Sequence, residues 1–288
     1  MRNFADCTAK VWDLETGKEL QSLRDHSDAV VCVRYDETNH LAFTVSKCVI
    51  KVWDVRESPV RCVKTMGSNG ISELGNLCRQ GEGSNDPSIL DVQLSNSGFV
   101  LFSTCSQIVR IWDLRMFYAV GKLNSNHQSK ITCLAVEDTH GGCINVVTGS
   151  KDHYVKVFNY TDGTKGCFSP RCTLEPPHCD GLSSLALHQS VLYSASRDGC
   201  IKQWDVNTER NMCTKTGAHK DSVLALHIAA KFSVTASFQK PVVVSGCKGG
   251  RLKLWDSHSL YPIGEFQAHQ AAIHSVYSNS SFIFTGSS

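Results

Sequence analysis

Long apolar runs, a strong net charge and catalytic motifs are all missing from this sequence of 288 residues. No apolar stretch approaches the roughly 20 residues that span a bilayer, and the first residues lack the apolar core of a signal peptide. The formal charge of +2 gives no overall attraction to nucleic acid, so a charged partner would have to bind a local patch. We therefore expect a cytoplasmic protein with no membrane insertion and no nucleic-acid partner.

Motifs for catalysis and for tightly bound groups are also missing. The sequence contains no phosphate-binding G-x-x-x-x-G-K-[ST], no G-x-G-x-x-G after a strand, no G-x-S-x-G and no H-E-x-x-H. None of its 14 cysteines forms a C-x-x-C pair, so we expect reduced thiols that pack as small apolar side chains. A zinc site at Cys172, His178 and Cys179 is the alternative, but its spacing differs from that of a standard finger. We expect no enzyme, no cofactor and no metal.

A Trp-Asp pair that recurs along the chain is the strongest pattern present. It occurs in VWDL (11–14), VWDV (52–55), IWDL (111–114), QWDV (203–206) and LWDS (254–257), with a degenerate copy, VFNY, at 157–160. The aromatic residues Trp12, Trp53, Trp112, Phe158, Trp204 and Trp255 follow one another at steps of 41, 59, 46, 46 and 51 residues. A repeat of this length indicates one small unit that is copied and buries its faces against its neighbours.

The clearest unit, residues 177–213, predicts four short antiparallel strands. LSSLALH (182–188) and VLYSAS (191–196) have the density of β-branched, aromatic and aliphatic residues that is typical of strands. The turn Arg197-Asp198-Gly199 precedes a third strand at 200–206, and a fourth follows at 211–216. Four such strands form one blade of a β-propeller, and no useful helical periodicity appears elsewhere.

The order His, Ser-x-x-x-Asp and Trp-Asp in this unit resembles the WD-repeat family. That resemblance implies a buried tetrad of His178, Ser194 or Ser196, Asp198 and Trp204. In it, the carboxylate holds the imidazole, the imidazole meets the hydroxyl, and the hydroxyl accepts the indole N–H, so the buried polar groups are paired. We therefore expect His178 and Asp198 to stabilise the fold, and we assign no catalytic residue.

Other units keep only part of this tetrad. The partial sets are His127 with Asp152 (Phe158 replacing Trp), His26 with Trp53, His219 with Trp255, Asp6 with Trp12, and His269 alone, while the Trp112 unit has neither His nor Asp. Stability must then come mainly from stacked apolar faces.

The two ends of the sequence are in complementary phases of the repeat. Residues 7–23 supply strands three and four of a unit, and residues 271–287 supply strands one and two. We predict an all-β propeller of five complete four-stranded blades (about 26–66, 88–124, 127–175, 178–216 and 219–267) plus a composite sixth blade (269–288 with 5–23), in one domain over 1–288. In that blade, 282–287 would pair with 7–14, because an unpaired strand edge is a liability. We also expect this chain to be a fragment of a longer ring, which would explain why its two ends are in complementary phases.

A polar, glycine-rich insertion at 66–88 accounts for the long step of 59 residues. We interpret it as a surface loop, because long loops cost little in closure entropy. A partner-binding insertion is the alternative.

Cations collect in the turns that precede the Asp position and follow the opening His. They are Lys130, Lys151, His153, Arg197, Lys220 and Lys248. These turns should share one rim, which predicts a site for an acidic peptide or tail. An ordinary solvated set of turns is the alternative.

Most of the chain also resembles the C-terminal WD-repeat domain of kinesin-4-class motors. The least generic matching segments are LEPPHCDG (174–181) and PIGEFQAH (262–269). The resemblance implies a seven-bladed parent ring and a cytoskeleton-associated, non-catalytic platform that binds cargo, regulators or microtubules. In that setting, the basic rim would suit acidic tubulin tails.

Two other classes of binding protein are alternatives. WD-x-R motifs that end at Arg56 and Arg115 resemble substrate receptors of cullin-RING ubiquitin ligases, where the arginine contacts an adaptor. The motif is short and arises often by chance. A scaffold like the β-subunit of heterotrimeric G proteins would need an N-terminal helix, which the sequence does not predict.

Overall fold

The computed structural model describes residues 7–56, 58–70, 72–74, 86–230 and 241–288. They group into two compact units. Unit 1 comprises Met1–Asn126, Asp138–Ile144 and Tyr160–Ser169, and unit 2 comprises His127–Glu137, Asn145–Asn159 and Pro170–Ser288. The single domain over 1–288 therefore stays a prediction.

Unit 1 contains a hairpin and two five-stranded blades. The N-terminal hairpin is β1 (Ala9–Trp12) and β2 (Glu19–Leu23). Blade I is β3 (Val30–Asp36), β4 (Leu41–Ser46), β5 (Val49–Asp54), β6 (Arg61–Gly67) and β7 (Ser72–Leu74), in that order. Blade II is β8 (Val92–Leu94), β9 (Val100–Cys105), β10 (Ile108–Asp113), β11 (Tyr118–Asn124) and β15 (Gly166–Phe168), which lies parallel to β11.

Unit 2 contains most of blade III, two further blades and a hairpin. Blade III is β12 (Ile131–Asp138), β13 (Cys143–Ser150), β14 (Val155–Thr161) and β16 (Cys172–Leu174), with a 3₁₀ turn at His140–Gly142. Blade IV is β17 (Leu182–His188), β18 (Val191–Ser196), β19 (Ile201–Asp205) and β20 (Arg210–Lys215), and blade V is β21 (Val223–Ala229), β22 (Val242–Cys247), β23 (Arg251–Asp256) and β24 (Pro262–Gln267). The C-terminal hairpin is β25 (Ile273–Ser278) and β26 (Ile283–Ser287).

The all-β propeller architecture with five blades is confirmed. In blade IV the first two predicted strands have the expected bounds, and the third and fourth differ by one residue at each end. A bulge recurs immediately before the tryptophan of the third strand, at Trp53, Trp112, Trp204 and Trp255. Because a bulge adds local twist, the same distortion is copied with each repeat.

Apolar faces between successive sheets form the core. In unit 2, Leu182, Leu185 and Leu192 of blade IV pack with Val147 and Val157 of blade III in one buried cluster. Central strands such as β18 are buried on both faces because a sheet lies on each side. Among the described residues, no helix is long and apolar enough to cross a membrane.

The predicted pairing of 282–287 with 7–14, which would join a hairpin of each unit, stays a prediction. β1 pairs with β2 in one two-stranded sheet, and β25 pairs with β26 in another. The repeat determines which strands of a blade each hairpin corresponds to: the third and fourth for the N-terminal hairpin, and the first and second for the C-terminal hairpin. Pairing also requires the two edges to meet in space, and the spacing of the repeat does not encode that.

Part of the insertion at 66–88, which the sequence predicts as a loop, forms a strand. β7 within it pairs antiparallel with β6, matching Lys64 with Leu74 and Met66 with Ser72. β6 is the last strand of its blade, so the added strand satisfies backbone groups at an open edge. The glycines at 75–83 lie outside the described residues.

Candidate functional site

Blade IV contains a complete buried tetrad. The Nδ1 atom of His178 lies 3.1 Å from Asp198 Oδ2, and its Nε2 atom lies 2.8 Å from Ser194 Oγ. The indole of Trp204 donates to the same hydroxyl at 2.9 Å. A carboxylate only accepts, so Nδ1 carries the proton and Nε2 accepts from the hydroxyl. Ser194 is thus the tetrad hydroxyl, whereas Ser196 donates to the carbonyl of Asp180 at 2.9 Å.

Asp198 also holds the two segments that meet at this turn. Its carboxylate accepts from the backbone amides of Cys179 at 3.0 Å and Cys200 at 2.8 Å. Burial raises the pKa of Asp198, but the hydrogen bonds from His178 and from these amides outweigh it and keep the pKa well below the usual range. The ionised carboxylate therefore acts as a clamp between the blade opening and its turn.

Blade III repeats the arrangement without the indole. His127 lies 2.8 Å from Asp152 Oδ2 through Nδ1 and 2.9 Å from Thr148 Oγ1 through Nε2. Phe158 occupies the aromatic position and is fully buried. Burial lowers the pKa of His127 despite the nearby carboxylate, so the imidazole is neutral at pH 7.

Blades I and V lack the Asp but keep a hydroxyl between the imidazole and the indole. In blade I, Thr44 Oγ1 lies 2.6 Å from His26 Nε2 and accepts from Trp53 Nε1 at 2.8 Å. In blade V, Ser245 Oγ makes the same contacts with His219 and Trp255, at 2.7 and 2.8 Å. Blade II keeps only the bond from Trp112 to Ser103, at 2.9 Å. Burial lowers the pKa of both His26 and His219 to about 4, so both are neutral at physiological pH.

The two hairpins contain the remaining predicted tetrad residues. Trp12 is 51% exposed, whereas the tryptophans of the blades are at most 3% exposed. His269 Nε2 lies 2.7 Å from Thr285 Oγ1 within the C-terminal hairpin. Asp6 lies outside the described residues.

Sequence reasoning missed the hydroxyls of Thr44, Ser103, Thr148 and Ser245. Each lies nine or ten residues before its aromatic partner, as Ser194 does, and this offset is the signal that could have found them.

The predicted basic residues of unit 2 lie at the openings of blades and on the turns that are hydrogen-bonded to these openings. The amide of Arg197 donates to the carbonyl of Gly181 at 3.1 Å, and Ser222 Oγ donates to the Arg197 carbonyl at 3.1 Å. The Lys248 amide donates to the Ser222 carbonyl at 2.9 Å, and the Lys151 amide donates to the Lys130 carbonyl at 3.1 Å. Turns that are held in this way present their side chains from a rigid backbone.

We use the name basic rim for Lys130, Lys151, His153, Arg197, Lys220 and Lys248. All of its lysines and its arginine are exposed. Across the part of the chain that the structure describes, none of these five forms an ion pair, although other cations such as Arg171 and Arg251 do. His153 is half-buried, and its carbonyl accepts from the His178 amide at 3.2 Å. The acidic side chains beside the rim, Asp180 and Asp221, are exposed.

The two WD-x-R arginines of unit 1 are engaged by their own motifs. Arg56 forms an ion pair with Asp54. Arg115 binds Asp113 through two nitrogens, at 2.9 and 3.0 Å, and Asp162 at 3.0 Å. An adaptor would have to compete with these carboxylates for each guanidinium.

The alternative zinc site has no free imidazole. Both ring nitrogens of His178 are committed, one to Asp198 and the other to Ser194. Within the described ranges, no group of three or more His, Cys, Asp or Glu residues could hold a metal ion.

Comparison with known proteins agrees with this geometry. The sequence profile of the WD40 family (WD domain, G-beta repeat) matches residues 17–54, 120–159, 168–205 and 211–256. The chain belongs to the WD40 family. These matches cover the hydroxyl and tryptophan pairs of blades I, IV and V.

Kinesin-like proteins are among the curated relatives of this WD40 chain. Human kinesin-like protein KIF21A is 39% identical over 286 residues, which are 97% of this chain and 16% of that protein. Mouse kinesin-like protein KIF21B is 38% identical over 293 residues (98% and 17%), and kinesin-like protein klp-12 of Caenorhabditis elegans is 30% identical over 297 residues (98% and 18%). The chain thus spans about a sixth of the length of these relatives.

Proposed function

We propose that this WD40 chain is a non-catalytic interaction domain of a kinesin-like protein and that its basic rim binds acidic polypeptide segments, in particular tubulin tails. One observation carries the proposal. The rim presents five exposed cations at blade openings and on the turns hydrogen-bonded to them, and no ion pair among the described residues neutralises them.

The rigid backbone of the basic rim should favour binding of an acidic tail. A flexible acidic tail loses conformational freedom when it binds, so a fixed row of cations avoids a second ordering cost. Cations on successive turns also allow one extended tail to contact several blades, and charge complementarity raises the association rate. The kinesin-like relatives supply the microtubule setting, and a cytoplasmic, cytoskeleton-associated location follows from the proposal.

Co-sedimentation with microtubules tests it, with a triple variant, Lys151→Glu, Arg197→Glu and Lys248→Glu. Each exposed pair contributes about 0.2–1 kcal/mol. Because reversal also adds repulsion, we expect affinity to fall about tenfold or more. Raised salt should weaken wild-type binding, because the Debye length shrinks from about 10 Å at 0.1 M to about 3 Å at 1 M.

A matched control has the same net charge change outside the rim. Lys18→Glu, Lys122→Glu and Arg210→Glu alter exposed cations that form no ion pair among the described residues. Arg210 begins β20, at the end of blade IV opposite the Arg197 turn. Removing the tubulin tails by limited proteolysis should abolish the difference between wild type and the rim variant. Equal binding by the rim variant and the control would refute the proposal.

The ligase alternative has its own test. Retention of a cullin-RING adaptor in a pull-down, lost when Arg56 and Arg115 are both changed to Ala, would favour it over tail binding.

A further inference from the structure

Two cysteines bind the carboxylate that clamps blade IV, one to each oxygen. The backbone amide of Cys179 donates to Asp198 Oδ2 at 3.0 Å, and the amide of Cys200 donates to Asp198 Oδ1 at 2.8 Å. Because one carboxylate binds both amides, it holds the two residues near the Cα separation of about 4.4–6.8 Å that a disulfide spans. The clamp therefore brings together two thiol-bearing residues from separate segments of the blade.

The side chain of Cys200 faces the segment that contains Cys179. Cys200 directly precedes β19 and lies two residues before Lys202, so the two side chains share a face of the strand. Lys202 Nζ donates to the carbonyls of Pro176 and Pro177 at 2.9 and 2.8 Å. This face of β19 is thus covered by the opening segment of blade IV, on which Cys179 follows the two prolines.

The two thiols differ in their access to solvent. Cys179 is exposed, whereas Cys200 is half-buried and its Sγ lies 3.7 Å from the Asp198 carbonyl oxygen. Burial raises the pKa of the Cys200 thiol, and a hydrogen bond from the Gly217 amide partly offsets this rise. Cys179 also lies within electrostatic range of Cys200 and of Lys202. A dissolved oxidant therefore meets Cys179 first, with Cys200 beside it as the second thiol.

We propose that Cys179 and Cys200 are a site of oxidative modification, where hydrogen peroxide produces a reversible disulfide. The Cys179 thiolate attacks one peroxide oxygen, the O–O bond breaks, and the departing hydroxide takes up the proton that Cys179 released. Cys179 is then a sulfenic acid. The Cys200 sulfur attacks the sulfenic sulfur, an S–S bond forms, the S–O bond breaks, and the hydroxide leaves as water with the Cys200 proton. Two thiols and one peroxide become one disulfide and two waters.

The disulfide links covalently what Asp198 holds by hydrogen bonds. It joins the opening of blade IV to the start of its third strand, across the turn at Arg197-Asp198-Gly199. A covalent link between these segments opposes local opening of the clamp, and a dithiol reductant restores the original state. This chemistry does not depend on what the basic rim binds.

Peptide mapping of the full chain tests the pair directly. The reduced chain is treated with equimolar hydrogen peroxide, its remaining thiols are blocked with iodoacetamide, and it is digested with trypsin. Cleavage after Arg171, Arg197 and Lys202 places Cys179 in fragment 172–197 and Cys200 in fragment 198–202. We expect these two fragments to be joined by a disulfide that dithiothreitol removes.

Cys172 shares the longer fragment and supplies the matched control. Cys172→Ser should leave the joined fragments unchanged, whereas Cys179→Ser and Cys200→Ser should each abolish them. In the Cys200→Ser chain, dimedone should label Cys179 as a sulfenic acid, because the first step does not need the second thiol. Loss of the joined fragments in Cys172→Ser, with Cys179→Ser unaffected, would assign the disulfide to the wrong cysteine and overturn the proposal.

Dependence on the fold separates a preformed pair from random oxidation. The folded chain should form the disulfide at least about tenfold faster than the chain in concentrated urea, because the Asp198 clamp already closes the loop. In the oxidised chain, the amides of Cys179 and Cys200 should exchange hydrogen at least about tenfold more slowly than in the reduced chain. Absence of the joined fragments from the folded chain, or equal rates of their formation with and without urea, overturns the proposal.

Discussion

Replacing Ser194 with Ala should cost more stability than replacing Ser103 with Ala, although both hydroxyls are fully buried. Ser194 Oγ accepts from Trp204 at 2.9 Å and meets His178 at 2.8 Å, so its loss leaves two buried groups unpaired. Ser103 serves only the indole of Trp112, at 2.9 Å. Each unpaired buried group costs about 1–3 kcal/mol. We expect about 2–6 kcal/mol for Ser194→Ala and about 1–3 kcal/mol for Ser103→Ala.

Native-state hydrogen exchange measures both costs locally, which matters because two compact units need not unfold together. Amides of β18 and β19 should lose protection in Ser194→Ala, and those of β9 and β10 in Ser103→Ala. Ser196→Ala is the control in the same strand, since its hydroxyl bonds only backbone groups, the Asp180 carbonyl at 2.9 Å and the Asp198 amide at 3.2 Å, and neither ring of the tetrad. Equal costs for Ser194→Ala and Ser103→Ala would refute the argument that the imidazole bond adds to the stability of the blade.

Three further predictions concern pH and backbone strain. Burial lowers the pKa of His219 to about 4 from 6.5; the unfolded chain therefore binds the extra proton between those values, and stability should fall by at most about 3 kcal/mol as pH drops from 6.5 to 4. His219→Gln should flatten that part of a plot of urea midpoint against pH, and an unchanged slope would contradict the assignment. The depressed pKa of Asp198 stabilises the fold above the unfolded value of 3.8 and loses this effect as pH falls below it. Asp198→Asn should therefore cost about 2 kcal/mol at pH 7 and progressively less in acid, by thermal unfolding, whereas a cost independent of pH would argue against an ionised clamp. Gly250→Ala should destabilise the C-terminal end of unit 2 by more than about 2 kcal/mol, because φ is +75° and the new Cβ would lie 2.0 Å from the His269 carbonyl oxygen. Gly163→Ala, with φ of +82° and no atom within 4 Å of the new Cβ, should cost only about 1 kcal/mol, and equal effects would rule out the clash.

Much of the fold could be predicted because the repeat carries its own local chemistry. β17 and β18 follow from VLYSAS-type segments, and the turn at Asp198-Gly199 follows from residues that tolerate and stabilise it. The fifth strands of blades I and II could not be predicted in this way. β7 and β15 are three residues long, and they form only because a neighbouring strand offers an open edge.

The tetrad of blade IV could likewise be predicted only in part. The sequence indicated that His178, Asp198 and Trp204 belong together, but it left Ser194 and Ser196 as alternatives. Both serines are buried in β18, and only the position of the imidazole over the strand selects Ser194. The basic rim and its partner remain predictions, since charge in a turn identifies a binding surface and leaves its ligand open.

The sequence by itself determined the WD40 blades, because each repeat contains its strands, its turn and its buried polar pairs within about 45 residues. Tertiary structure alone decided which of the described strand edges pair. Thr285 and Trp12 occupy the hydroxyl and the tryptophan positions of the repeat, yet they lie in two separate two-stranded sheets. Strand pairing depends on where edges meet in space, whereas a repeat records only their order along the chain.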